Sequence, residues 1–74
     1  MKRKTYHELA HELANEMSYD YMKSCFTIYQ ESGIYTLKHC NGTKHKVTTI
    51  NSGMTAKECY RTLLSIRSYI ESVA

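Results

Sequence analysis

The C-terminal part of the chain constrains the fold most, because it carries a complete set of helix signals. Thr55 and Glu58 have the spacing of a capping box, in which each side chain accepts a hydrogen bond from the other residue's backbone amide. Met54 and Cys59 stand where a hydrophobic staple closes the first turn. The apolar residues that follow are spaced by three and four. This pattern predicts an amphipathic helix from about Ala56 to Val73.

A second capping box, formed by Thr5 and Glu8, predicts another helix near the start of the chain. Apolar residues recur after it at helical spacing, with acidic residues on the opposite side. We therefore predict a helix over residues 6–22. Residues 1–4 are basic and precede the cap, and we expect them to form a flexible tail.

Between the two helices the apolar residues alternate with polar ones, as they do in half-buried strands. The residues Asn-Ser-Gly at 51–53 are expected to end the last strand before the C-terminal helix. The predicted strands are 25–31, 34–39 and 45–50.

Short turns are predicted between these strands, at Ser32–Gly33 and Asn41–Gly42. The register of the second hairpin stays open, because Leu37 could lie opposite Lys46 or Val47. The elements together predict an α+β domain of order α-β-β-β-α. In it, a three-stranded antiparallel sheet packs against two helices.

The chain of 74 residues has room for one small domain, 1–74, and dimerisation or a bound partner could supplement so small a core. A homodimer is therefore among the expected assemblies. No apolar stretch has the length of a membrane span or the character of a signal peptide. The three cysteines (Cys25, Cys40 and Cys59) are odd in number and far apart, which argues against a secreted disulfide framework and favours a reducing cytoplasm.

Residues 7–11 read His-Glu-Leu-Ala-His, the H-E-x-x-H pattern in which two histidines bind zinc and the glutamate activates water. The pattern resembles that of the zincin metalloproteases. The resemblance implies His7 and His11 as ligands and Glu8 as general base, with a third ligand from Glu31, Glu58 or Glu71. Helical phase, however, puts both histidines on the solvent side of the helix. We therefore predict a solvated helix face, with no metal, no cofactor and no enzymatic activity.

Cysteine and histidine also occur together around the second hairpin, at His39, Cys40 and His45. Thiolates and imidazoles can assemble a zinc site, but these spacings match no common zinc finger. Because His39 and Cys40 are neighbours in a strand, their side chains point to opposite faces, which argues against a catalytic pair. The cysteines are instead expected to be small buried residues of the core.

An acidic ladder formed by Glu8, Glu12 and Glu16 runs along the first helix at four-residue spacing. Neighbouring like charges at this spacing cost a helix roughly 0.2–0.5 kcal/mol per pair. The ladder is either a solvated face or a surface for a basic protein partner, and both interpretations stay open.

Seven tyrosines are more than so small a core can hold, and tyrosine is a favoured contact residue at interfaces. Helical phase predicts that Tyr6, Tyr60 and Tyr69 are packed. The remaining four are expected at the surface as contacts to a partner: Tyr19, Tyr21, Tyr29 and Tyr35.

The order α-β-β-β-α in about 70 residues resembles the double-stranded RNA-binding domain, which reads the shape of A-form RNA. The chain departs from that family in having a single lysine at the start of its last helix, no proline, and an acidic first helix. The resemblance implies nucleic-acid binding through the basic residues Lys38, Lys44, Lys46, Lys57 and Arg61.

In its size, basic start and last helix opened by Met-Thr-Ala-Lys-Glu, the chain also resembles the small accessory proteins of bacteriophages and other mobile elements. This resemblance implies a protein of the bacterial host cytoplasm that acts by binding, for instance as an inhibitor of a host defence or nucleic-acid-processing complex. The first expectation is therefore a non-enzymatic interaction protein. Nucleic-acid binding is the second expectation, and a zinc protein is the third.

Overall fold

The structure, a computed structural model, describes residues 3–20, 24–41 and 46–73. The predicted α+β class and the order α-β-β-β-α are confirmed, and the sheet is antiparallel with its second strand in the middle. Neither described helix combines the length and the apolar character that a membrane span requires. The elements are α1 (Tyr6–Asp20), β1 (Ser24–Glu31), β2 (Ile34–Asn41), β3 (Lys46–Met54) and α2 (Ala56–Val73).

Helix α2 has the predicted bounds, and both halves of its capping box are formed. The amide of Glu58 donates to Thr55 Oγ1 at 3.2 Å, and the amide of Thr55 donates to Glu58 Oε1 at 3.1 Å. Met54 and Cys59 are both buried, as the hydrophobic staple predicts. The start of α2 is therefore determined by residues that are close together in the sequence.

The capping box of α1 is formed only in part. The amide of Glu8 donates to Thr5 Oγ1 at 3.2 Å, while the Glu8 carboxylate accepts from the Thr5 hydroxyl at 3.3 Å. Within the predicted tail, Lys4 Nζ lies 2.7 Å from Glu12 Oε2. Residues 1–2 of the tail lie outside the described residues. The predicted end of this helix, at residue 22, lies outside the described residues.

The first hairpin turns at Ser32 and Gly33, as predicted. Both residues have positive φ, 52° and 77°, which is the backbone of a type I′ two-residue turn. Glu31 and Ile34 form the closing pair, and the register continues without a shift to Ser24 opposite Asn41.

The second hairpin differs from the prediction, since Asn41 is the last residue of β2 and pairs with Lys46. A two-residue turn at Asn41–Gly42 is therefore wrong. The residues between these two strands, 42–45, lie outside the described part of the chain. Leu37 lies opposite Asn51, so neither of the two registers left open is the one observed.

Strand β3 also continues past its predicted end. Residues 51–53 do not end the strand. The ladder accommodates them by shifting its register twice, as at β-bulges, and pairing then resumes. Gly53 has a φ of 69°, which a glycine adopts at little cost. The strand thereby delivers Met54 to the core, where it is 3% exposed.

The two helices pack side by side on one face of the sheet. Tyr6 contacts Tyr60 with ring centroids 6.2 Å apart, and Glu16 lies 3.5 Å from Arg67 further along both helices, so α1 and α2 run in the same direction. The molecule measures 36 × 27 × 17 Å. Its shortest dimension matches the thickness of one helix layer packed on one sheet. The core between the layers consists of Ala10, Leu13, Ala14, Met17, Phe26, Tyr35, Leu37, Met54, Cys59 and Leu63.

Candidate interaction surface

The sheet is covered on one face only. Buried residues such as Phe26 and Leu37 face the helices, and the residues that alternate with them point to the other side. Within the described residues no element packs on that side. We call it the open face, and it consists of Cys25, Thr27, Tyr29, Glu31, Ile34, Thr36, Lys38, Cys40, Val47 and Thr49.

Three large apolar side chains are exposed on the open face. Tyr29 and Ile34 are each 53% exposed, and Val47 is 58% exposed. Tyr29 and Ile34, together with Thr36, line a shallow depression of about 450 Å³ beside the first hairpin. Val47 lies opposite Cys40, towards the other end of β2 from Ile34. Exposed apolar side chains on an uncovered sheet face are typical of a protein contact site.

Lys38 and Tyr29 are brought together near the centre of the open face. Lys38 pairs with Thr27 across β1, which makes it a diagonal neighbour of Tyr29. Its Nζ lies 4.9 Å from the centre of the Tyr29 ring, within the range of a cation–π contact. From the sequence, Tyr29 was predicted to contact a protein partner and Lys38 to contact nucleic acid. In the structure they form one pair.

The acidic ladder of α1 is exposed, as predicted, but two of its three carboxylates, Glu12 and Glu16, have basic partners within the molecule. Lys4 binds Glu12 at 2.7 Å, and that hydrogen bond and charge raise the pKa of Lys4. Arg67 lies 3.5 Å from Glu16, and the Glu8 carboxylate accepts a hydrogen bond from the uncharged Thr5 hydroxyl. A ladder with these partners presents less negative charge to a basic protein than the sequence alone indicates.

The tyrosines assigned to a partner are divided by the structure. Tyr19 is 84% exposed and Tyr29 is half-exposed, whereas Tyr21 lies outside the described residues. The expected exposure of Tyr35 is wrong, since this residue is only 5% exposed. It is two residues from Leu37 in β2 and therefore faces the helices. Its hydroxyl group is joined to Nδ1 of His7 by a hydrogen bond of 2.7 Å.

Two tyrosines that helical phase predicted to be packed are instead exposed. Tyr69 is 69% exposed and Tyr6 is 45% exposed, while Tyr60 is half-buried. Among the buried residues of α2, Leu63 is the last, so Tyr69 lies beyond the part of the helix that the core covers. Tyr6 is at the start of α1, where Lys57 Nζ approaches its ring to 5.8 Å.

The basic residues assigned to nucleic acid do not form one surface. Lys38 lies on the open face, whereas Lys57 is on α2 beside Tyr6, in the layer of helices on the other side of the sheet. Arg61 follows Lys57 by one helical turn, and Lys46 is exposed at the start of β3. Lys44 lies outside the described residues. A duplex groove could therefore contact only some of them at once.

The two histidines of the H-E-x-x-H pattern are adjacent, with ring centroids 4.4 Å apart. His7 is exposed as predicted but reaches the sheet through Tyr35, and His11 is half-buried. Burial, with the adjacent His7 adding to it, lowers the pKa of His11. Over residues 3–20, 24–41 and 46–73, no three His, Cys, Asp or Glu side chains group as metal ligands would, so no glutamate joins the two histidines as a third ligand.

The three cysteines occupy different environments. Cys59 is buried, as expected of a core residue, and its burial raises the pKa of its thiol. The other two are not core residues, because Cys25 is exposed and Cys40 is half-buried on the open face. His39 points to the opposite face, where its ring lies 5.1 Å from that of Phe26. His45 lies outside the described residues.

Comparison with known proteins gives no significant match for the chain. No family model matches it. No curated protein and no solved structure is significantly similar to it either. The function is therefore inferred from the surfaces of the molecule.

Proposed function

We propose that this chain is a non-enzymatic interaction protein that binds a protein partner through the open face of its sheet. The observation that carries the proposal is the exposure of Tyr29, Ile34 and Val47, all more than half exposed, on a face that neither helix covers. Aromatic and aliphatic side chains supply most of the energy of protein interfaces when a partner removes them from water.

The distribution of charge supports the same face. Lys38 is the charged residue near its centre, and Glu31 lies at its hairpin end. The layer of helices, in contrast, carries most of the ionised side chains, including both members of the Glu16–Arg67 pair. Protein interfaces are poor in charge at their centre, so the open face is the better candidate of the two.

The chemistry of the partner follows from these side chains. A complementary surface presents apolar groups to Tyr29, Ile34 and Val47 and a carboxylate to Lys38. Because the Tyr29 ring already holds the lysine in place, less side-chain entropy is lost when the carboxylate binds. The partner is thus a protein whose binding surface is apolar with an acidic group in it.

The biological role that we propose for this binding is inhibition of a host defence or nucleic-acid-processing complex. Its support is the resemblance to accessory proteins of bacteriophages, in size, basic start and last helix. The mechanism is occlusion, in which the open face covers a surface that the host complex needs for its own contacts. Such a mechanism requires no reacting group on this chain.

The test is capture of a partner from nuclease-treated bacterial lysate, with two matched variants of β3. Val47 lies on the open face, whereas Ile50 lines the other face with Phe26 and Ile66. Both are exposed, at 58% and 38%. Val47→Lys should reduce the affinity for the captured protein at least tenfold, and Ile50→Lys should leave it unchanged. Circular dichroism confirms that each variant is folded.

Three results would contradict the proposal. Equal binding by the Val47→Lys variant would exclude the open face. Capture that succeeds only from lysate without nuclease, or retention on duplex RNA that falls steeply with salt, would favour the nucleic-acid hypothesis instead. A pure chain that sediments as a dimer and captures no other protein would identify the partner as a second copy.

A further inference from the structure

The open face places two cysteines directly opposite each other. Cys25 of β1 and Cys40 of β2 are partners in the antiparallel ladder, and cross-strand partners point to the same face. The Cα atoms of such partners are about 4.5–5.5 Å apart. Disulfide bonds join cysteines whose Cα atoms are about 4.4–6.8 Å apart. The backbone therefore already has the spacing that a disulfide needs.

The turn between β1 and β2 sets the register that pairs the two cysteines. The two-residue turn at Ser32–Gly33 sets Glu31 opposite Ile34, and every following pair of β1 and β2 keeps the same register as far as Ser24 and Asn41. A shift of one residue would put the two sulfur atoms on opposite faces, so the pairing depends on this turn.

We propose that Cys25 and Cys40 are a redox modification site, which forms a reversible disulfide by exchange with a small disulfide such as oxidised glutathione. Both thiols are free in the structure. Cys25 is exposed and Cys40 is half-buried beside Val47, its partner on the other side. A reagent can therefore reach Cys25 first.

The exchange proceeds in two steps. The Cys25 thiolate attacks one sulfur of oxidised glutathione, so that a mixed disulfide forms and one glutathione thiolate leaves. The Cys40 thiolate then attacks Cys25 Sγ, forms the cross-strand disulfide and releases the second glutathione. Two protein thiols are oxidised and one glutathione disulfide is reduced to two thiols, which take up the two protons. Excess reduced glutathione reverses both steps.

The third cysteine does not compete in this reaction. Cys59 is fully buried in the core, where its thiol reaches neither glutathione nor the open face. Disulfides exposed at the surface are generally the labile ones, which are reduced again when the surroundings become reducing. The site thus responds to the redox state while the core cysteine stays inert.

The experiment treats the native full-length chain with oxidised glutathione, quenches it with acid and measures the intact mass. The expected product is lighter than the reduced chain by about 2 Da, the two hydrogens lost in the disulfide. Peptide mapping should show residues 25 and 40 joined. Cys25→Ser and Cys40→Ser each remove one thiol of the pair and should abolish this product, with the other thiol of the pair carrying glutathione instead. Cys59→Ser is the matched control and should behave as the unchanged chain does.

Accumulation of chains that carry glutathione on both Cys25 and Cys40, without loss of mass, would overturn the proposal. So would a chain of unchanged mass, or a disulfide that maps to Cys59 or joins two chains. None of these results depends on the protein partner. The proposed function can therefore fail while the redox site stands, and the reverse is equally possible to observe.

Discussion

The hydrogen bond between His7 and Tyr35 links α1 to the sheet, and its removal leads to a quantitative prediction. The bond is 2.7 Å long, and the Tyr35 side chain that carries it is 5% exposed. Tyr35→Phe removes the hydroxyl group and leaves the ring in the core. The contact between the two rings, whose centroids are 5.8 Å apart, is thereby retained.

The expected cost of this change is the net worth of one neutral hydrogen bond, about 1 kcal/mol. The entropy of unfolding is roughly 2.1 cal/mol/K per residue, so a chain of 74 residues loses about 6 °C in its melting temperature for each kcal/mol. Tyr19→Phe is the matched control. It makes the same chemical change on a side chain that is 84% exposed, and it should shift the melting temperature by less than about 1 °C.

The assay is thermal and urea unfolding followed by circular dichroism, extended to a double-mutant cycle with His7→Ala. The two changes should be non-additive, with a coupling energy of about 1 kcal/mol, because each removes the same bond. Full additivity, or a Tyr35→Phe variant as stable as the unchanged chain, would refute the idea that this bond holds α1 to β2.

Three further predictions concern the caps, the first turn and the pH dependence. Glu58→Ala should lower the free energy of unfolding by about 1 kcal/mol and Glu8→Ala by about half as much, because only Glu58 accepts the amide of its cap residue; urea unfolding of both variants measures the difference. Ser32→Asn should raise the melting temperature by a few degrees, because asparagine tolerates the positive φ of 52° better than serine; no gain would contradict the assigned turn. The lowered pKa of His11 means that the unfolded chain takes up its proton first, so the free energy of unfolding should fall as the pH is lowered through about 6.5. The fall should be smaller in His11→Gln, and an equal fall in both would assign it to other groups.

Helix α2 was predictable in full because its signals are local. The capping box at Thr55 and Glu58 and the apolar spacing behind it need no information from the rest of the chain. The α-β-β-β-α order followed for the same reason, since each element carries its own spacing of apolar residues.

The end of β3 was not predictable from local signals. Asn51, Ser52 and Gly53 are turn-forming residues, and next to a helix cap they indicate the end of a strand. The sheet accommodates them as shifts of register because the strand carries Met54 into the core under α2. The gain from burying this side chain depends on elements elsewhere in the chain, which a short window does not contain.

The inward position of Tyr35 and the pairing of Cys25 with Cys40 were both within reach of the sequence. A two-residue turn at Ser32–Gly33 determines the register of β1 and β2, and counting back from it puts the two cysteines opposite each other. Alternation from the buried Leu37 likewise puts Tyr35 inside. The complete open face could not be predicted in this way. The position of Val47 on it depends on the register of the second hairpin, which differs from both predicted registers.

The parallel direction of α1 and α2 has a consequence for the order in which the domain is made. The ribosome releases α1 first, yet the helix beside it, α2, is the last of the five described elements to be made. Leu13 and its neighbours are therefore fully shielded from water only after Leu63 has emerged. A nascent chain that ends before residue 56 has an uncovered core, which proteases and chaperones recognise. The domain can therefore close only after the eighteen residues of α2 have left the ribosome.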